Sequence, residues 1–227
     1  MRWPPFCLPS ELRKAGVLGI NRRNIQLVQR LNSRMDYPKA DDKFLTKSLA
    51  KKFGIPTPKL LDRIESVGAI RNCIARLNDR DEFVLKPAHG SGGEGIVVVT
   101  GRSTKNEFLR ARGDTISLAE IRYHLASILH GLYSLGGLPD QVLVEERVHF
   151  DPIFKDISVQ GVPDIRIVVV RGVPILAMLR LPTRASCGRA NLHQGAIAAG
   201  VDIVTGRTHH GVWKSRAIDI HPDTGAS

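Results

Sequence analysis

Residues 82–99 read EFVLKPAHGSGGEGIVVV. A β-prone run ends at Lys86, a loop carries glycines at 90, 92, 93 and 95, and a second β-prone run starts at Ile96. Glycine reaches backbone angles closed to other residues and lets amide N–H groups approach a ligand, so such a loop folds into an anion-binding nest. Its natural guest is a phosphate chain, with Lys86 supplying a point charge. A ligand-free glycine hairpin is the plainer reading of the loop alone, and the lysine at the strand end favours the phosphate reading. The spacing Gly90-x-Gly92-x-x-Gly95 also matches the dinucleotide fingerprint, but that fingerprint opens a helix, and here a β-rich run follows. The kinase glycine-rich loop does join two strands, yet its lysine comes after the loop and its His-Arg-Asp and Asp-Phe-Gly motifs are absent from this chain. What remains is a strand-loop-strand flap over the phosphates of a nucleotide.

Working outward, the 227 residues are 42% hydrophobic and 24% charged, which is globular composition with length for one large domain or two small ones. The three cysteines, Cys7, Cys73 and Cys187, lie far apart, so neither a disulfide framework nor a cysteine zinc site is expected, and a reducing cytoplasm fits best. The start, MRWPPFCLPS, lacks a signal-peptide core, and the most apolar run, residues 165–181, is interrupted by Arg166, Arg171 and Arg180; a soluble chain with no membrane partner is expected. Net charge is +11, and residues 1–80 hold 17 Lys and Arg against 7 Asp and Glu, or +10 of it. That basic third suits an anionic partner or is merely a solvated surface. With aromatics at 5% and no nucleic-acid motif, nucleic acid is not the favoured partner.

Along the chain, residues 10–33 read as two short helices separated near residues 16–19, with Ser10 and Asn21 as candidate caps. An acidic start at Asp41 and Asp42 heads a helix with Phe44, Leu45, Leu49 and Phe53 at helical spacing and Gly54 as its stop. A short strand at 59–61 and a helix over 66–77 lead to the glycine hairpin. Ser117 and Glu120 form a capping-box pattern for a helix whose apolar face is Leu118, Ile121, Leu125, Ile128, Leu129 and Leu132. Residues 141–148 read as a strand, and 164–170 with 174–181 as a hairpin turning at Arg171-Gly172. Asp164, Arg166 and Arg180 stand at the margins of those otherwise buried strands. A loop rich in hydrogen-bonding residues follows at 184–195, then strands near Ala196 and Ile203. His209, His210 and His221 have no helical pairing or cysteine partners, which disfavours a metal site.

The order of these parts closely resembles the ATP-grasp superfamily, specifically the RimK-like alpha-L-glutamate ligases. The parts are Asp42-Lys43 opening a helix, Phe83 to Lys86-Pro before the glycine loop, Val144-Glu145-Glu146-Arg147-Val148, Asp164-x-Arg166, and Arg189-Ala-Asn191-Leu-His193-Gln-Gly195. The likeness spans nearly the whole chain. It implies an α+β fold in which two α+β subdomains grip ATP, divided as a helical segment at 1–40, a first subdomain at 41–146 and a second at 147–227. It also implies that Lys43 and Lys86 contact phosphates, that Gly90, Ser91, Gly92, Gly93 and Gly95 form the covering flap, and that Glu145, Glu146 and Val148 line the adenine pocket. Glu145 and Glu146 match equally well. Asp164 corresponds to the nucleotide-contacting acid, and Arg166, Arg180, Arg189 and Asn191 face the phosphates or a substrate carboxylate, with Arg166, Arg180 and Lys86 carrying catalysis.

The implied chemistry is attack of a glutamate-like carboxylate on the γ-phosphate, giving an acylphosphate, then displacement of phosphate by an amine whose identity is open, a protein or peptide being one candidate. Anions are brought together, so cationic side chains and Mg²⁺, or Mn²⁺, offset the repulsion. The resemblance places the metal ligands in a late Asp and a Glu-x-Asn, which are expected beyond Ser227; Asp202 lies in a similar setting but too early in the order. A non-catalytic ATP-binding module is the alternative expectation.

Overall fold

A computed structural model describes residues 7–227; residues 1–6, where the expected 1–40 segment and the leader reading begin, lie outside the described residues. Helix α1 (Pro9–Lys14) has Pro9 in its first turn, where the missing amide costs nothing, and the Glu11 carboxylate accepts from the Leu8 N–H at 2.9 Å. Ser10 therefore lies inside the first turn and does not cap it. Helix α2 (Ile20–Arg23) starts after Gly19 and widens into a π-helical stretch at Asn24–Gln29, so Asn21 is internal too. After α3 (Tyr37–Asp41) comes α4 (Lys43–Lys52), whose cap is Asp42, accepting from the amides of Phe44 and Leu45 at 2.8 and 3.1 Å. Gly54, at φ +68°, ends it as expected.

The first sheet holds β1 (Leu60–Ile64), β2 (Phe83–Pro87), β3 (Val97–Thr104), β4 (Glu107–Arg110), β5 (Thr115–Ser117) and β6 (Val142–Glu145). Their order is β1-β6-β2-β3-β4-β5 and every pairing is antiparallel. Helices α5 (Ile70–Leu77) and α6 (Leu118–Leu129) cover one face. Ile70, Cys73, Ile74 and Leu77 recur at helical spacing on α5, and Ile121, Leu125, Ile128 and Leu129 do so on α6. They pack on Phe83, Leu85, Val97, Val99, Phe108, Val142 and Val144 of the sheet. The Ser117–Glu120 capping box forms as read, whereas Leu132 lies past the helix end and is exposed. Strand alternation then dictates the opposite face: with Phe83 and Leu85 turned to the helices, Lys86 points away, and with Val142 and Val144 inward, Glu145 points away as well.

The second sheet is a meander of β7 (Asp164–Val170), β8 (Val173–Leu181), β9 (Ile197–Val201), β10 (Thr208–Trp213) and β11 (Arg216–Ile218), ordered β11-β10-β9-β8-β7. Arg171 and Gly172 both take positive φ, 50° and 81°, the two-residue turn that matches strand twist. β7 is an edge strand, and Ile165, Ile167 and Val169 are exposed, against the expectation that this hairpin is buried. Its apolar letters suit a core, but Ile165, Ile167 and Val169 stay exposed because no helix among the described residues covers this strand. Ile203 falls in a turn, not a strand. The whole is the α+β architecture expected, with two antiparallel sheets.

Candidate functional site

The glycine loop connects β2 to β3 as a hairpin, in the register Leu85 opposite Val97. Gly92, Gly93 and Gly95 take φ of 63°, 79° and 71°, and their amides donate to no protein acceptor among the described residues. Within the loop, Glu94 N–H donates to Ser91 O at 3.1 Å. Left-handed glycines with free amides form an anion cradle.

Lys43, at the first position of α4, stands at the loop's base. Its amide and its Nζ both donate to Ala88 O at 3.1 Å, and Nζ also donates to Gly90 O. Burial, and then the charge of Lys86, hold its ammonium below the ordinary lysine range. Lys86 Nζ lies 2.5 Å from Glu145 Oε2, which the sheet places diagonally across from it. Lys47 Nζ stands 3.0 Å from the other oxygen, off the direction of a hydrogen bond, and donates to Pro58 O. Glu145 is only 2% exposed. Glu145 is ion-paired with Lys47 and Lys86, while Lys43 lies in the field of Lys86 and, more weakly, of Asp140, Asp41 and Asp42; three lysines gathered on one floor suit a polyphosphate.

The second sheet reaches this place through the loop between β8 and β9. Asn191 Nδ2 donates to Gly92 O at 2.9 Å, and the Arg189 stem lies against Gly93. The loop is fixed from within, because buried Thr183 donates its hydroxyl to Gly195 O at 2.8 Å. Lys43, Lys86, the flap glycines with Ser91, Glu145, Arg189 and Asn191 are thus brought together.

Three expected residues make no hydrogen bond or ion pair with the flap or its lysines among the described residues. Asp164 and Arg180 face each other across β7 and β8 in a two-point ion pair, with contacts of 2.6 and 2.5 Å, and the Asp164 carboxylate pushes the Arg180 guanidinium pKa up. Arg166 is exposed two residues further along and holds no ion pair among the described residues. Glu146 and Val148 form an outer rim: Glu146 N–H donates to Lys59 O at 3.0 Å and its carboxylate lies 3.6 Å from Lys59 Nζ, while Val148 is exposed. Glu145 and Glu146, equal in the sequence, are therefore different objects, one an internal ion and the other a surface residue.

A family described as sugar-transfer associated ATP-grasp has a model that matches residues 22–227. The chain belongs to this ATP-grasp family. No curated protein matches it. The likeness read from the motifs holds at the level of the superfamily, with the family named for sugar transfer in place of glutamate ligation.

Several residues of this ATP-grasp site escaped the sequence reading. Lys47 follows Lys43 by one helical turn on the same face, and that spacing was a usable signal. His89 and Asp140 carried none, being 51 residues apart. The His89 ring and amide both bind the Asp140 carboxylate, Nδ1 at 2.7 Å, and the ring's Nε2 lies 3.8 Å from Asp42 Oδ2. Asp140 is buried and also accepts from Gln141 N–H at 2.7 Å. The loop base is thereby tied to the start of β6.

The described residues do not suit the magnesium or manganese that the ATP-grasp fold implies. No group of three acidic, histidine or cysteine side chains converges among them. Glu145, Asp140 and Asp164 are each engaged by cations or N–H groups. Asp202 closes its own turn, accepting from Val204 and Thr205, and the Thr205 amide is the first cause of its lowered pKa. Two cavities, of about 530 and 430 Å³, lie on the second sheet; the larger is lined by residues 192–196, directly after Asn191. No described helix is long and apolar enough to cross a membrane.

Proposed function

We propose that this ATP-grasp protein is an ATP-dependent carboxylate–amine ligase. A substrate carboxylate oxygen attacks the γ-phosphorus and ADP departs. An amine then attacks the acylphosphate carbon, inorganic phosphate leaves, and the nitrogen gives up a proton. The reading is carried by one observation, the Asn191 contact with Gly92 O, which closes the second sheet's loop onto a flap whose floor holds Lys43 and Lys86.

Lys43 and Lys86 neutralise the phosphates, the free amides of Gly92, Gly93 and Gly95 cover them, and Arg189 meets the charge that spreads in transfer. Lys86 exchanges Glu145 for a phosphate oxygen when nucleotide enters, and Lys47 keeps that carboxylate paired meanwhile. The rim at Glu146 and Val148 borders the adenine. Asp164, Arg166 and Arg180 form the substrate side, where opening of the Asp164–Arg180 pair frees a guanidinium for the donor carboxylate. The donor is a glutamate-like amino acid, and the family's association with sugar transfer favours an amine carried on a saccharide as acceptor.

The test is ATP-dependent phosphate release with glutamate and a panel of amino sugars. Lys86→Ala is expected to weaken ATP binding at least tenfold, as loss of a charge-assisted contact of about 1.5–3 kcal/mol requires. Equal turnover by variant and wild type would sink the proposal. The pairing of Glu145, Asp140 and Asp164 with lysine, histidine and arginine side chains of the chain itself favours a second reading, a nucleotide-binding module without turnover. Calorimetry that shows ATP binding while no phosphate appears would establish it.

A further inference from the structure

Helix α6 and the segment after it grip the flap from its outer side, and nothing in the ligase reading uses them. His124 Nε2 lies 2.9 Å from Gly95 O, and since a carbonyl only accepts, the ring N–H is the donor. Nδ1 is 3.4 Å from the Tyr133 hydroxyl, which then donates to the ring. The Tyr133 ring packs directly on Gly95, where an added Cβ would fall 2.7 Å from its Cγ. One residue on, Ser134 forms an isolated β-bridge with Gly90, and its hydroxyl is held by the carbonyls of Gly131 and Leu138 at 3.1 and 2.6 Å. Both feet of the flap, Gly90 and Gly95, are therefore fastened to residues 124–134.

We propose that His124, backed by Tyr133, is a positioning residue that sets the phosphate-facing geometry of the flap by fixing the Gly95 carbonyl. A trans peptide is planar with its N–H opposite its carbonyl, so directing Gly95 O at His124 directs the Ile96 amide away from α6. That amide has no protein acceptor among the described residues and joins those of Gly92, Gly93 and Gly95 in the cradle. Burial holds the His124 ring below the ordinary imidazole range and so favours its neutral form, against the opposing pull of the Gly95 carbonyl, while that same carbonyl selects the Nε2-protonated tautomer; Arg110 opposes protonation further. The inference rests on the flap being the ATP cover.

The test uses the full chain and three variants: His124→Ala, His124→Gln, whose amide nitrogen reproduces the Nε2 donor, and Tyr133→Phe. ATP affinity is measured by calorimetry, and flap order by ¹⁵N relaxation of the amides of residues 92–96 without nucleotide, with thermal melting to verify folding. His124→Ala is expected to raise the ATP dissociation constant about tenfold and lower the flap order parameters, as loss of one well-placed hydrogen bond implies. His124→Gln should return within about twofold of wild type and Tyr133→Phe should lose about two- to threefold, since only the bond fixing the tautomer is removed. A folded His124→Ala protein with wild-type flap order overturns the inference, as does a glutamine variant no better than alanine. Should the alanine variant fail to fold, wild-type affinity and flap order in Tyr133→Phe overturn it instead. A flap that loosens in a protein whose wild type binds no ATP removes the ATP reading and leaves the tether standing.

Discussion

Lys43 holds its ammonium against the carbonyls of Ala88 and Gly90, partly buried and within the field of Lys86. Both influences favour the neutral amine, so raising the pH strips its charge before that of a solvent lysine. ATP affinity should then fall as pH climbs through this lowered value, and Lys43→Arg, charged throughout, should flatten that alkaline decline; titration calorimetry from pH 7 to 10 reads both, the range lying below the ordinary lysine value of 10.5. Fold stability carries the opposite sign. Between the lowered folded pKa and the unfolded 10.5 the unfolded chain binds more protons, so this group's contribution rises with pH across that window. The placement of Lys43 at the start of α4 and of Lys86 near the end of β2 was legible, because caps and strand ends carry local signals. The separation of Glu145 from Glu146 was not, since it depends on which face of β6 two lysines from elsewhere happen to cover.

The flap is an element whose glycines are not equivalent. Gly93 and Gly95 share left-handed φ, but an added Cβ at 93 meets only the Arg189 stem at 3.7 Å, whereas at 95 it strikes the Tyr133 ring at 2.7 Å. Gly93→Ala should therefore cost about 1–2 kcal/mol, the price of a left-handed alanine. Gly95→Ala should cost more and lower the melting temperature further, because the ring must also move. A sequence shows four glycines and cannot rank them. Elements with a local signal were read well: the Ser117 capping box, the Asp42 cap and the Arg171-Gly172 turn are each specified within a few residues. β4 and β5 were missed, being four and three residues long with little alternation to reveal them. β7 was found, yet its exposure was not, for an apolar strand reads alike in a core and at an edge.

Across the whole molecule, the contact from Asn191 to Gly92 is 99 residues in separation and joins a loop of one sheet to the flap of the other. Asn191→Ala should leave the melting temperature nearly unchanged, since neither core loses packing, and should weaken ATP binding by about three- to tenfold if that closure orders the cradle. A fall in melting temperature with unaltered ATP affinity would assign Asn191 to the scaffold alone. The sequence by itself determined the glycine hairpin and the helix carrying Lys43, because periodicity, caps and glycine spacing are local and survive in one dimension, while the order of its motifs carried the resemblance to the ATP-grasp superfamily and, with it, the α+β class. Only the tertiary structure decided that Glu145 is an internal counter-ion shared by Lys47 and Lys86, that Asp164 and Arg180 are paired with each other, and that the flap at 82–99 is fastened by His124 and Tyr133. Those outcomes depend on long-range register and on which faces meet, and charge and burial acquire values only once the neighbours are in place.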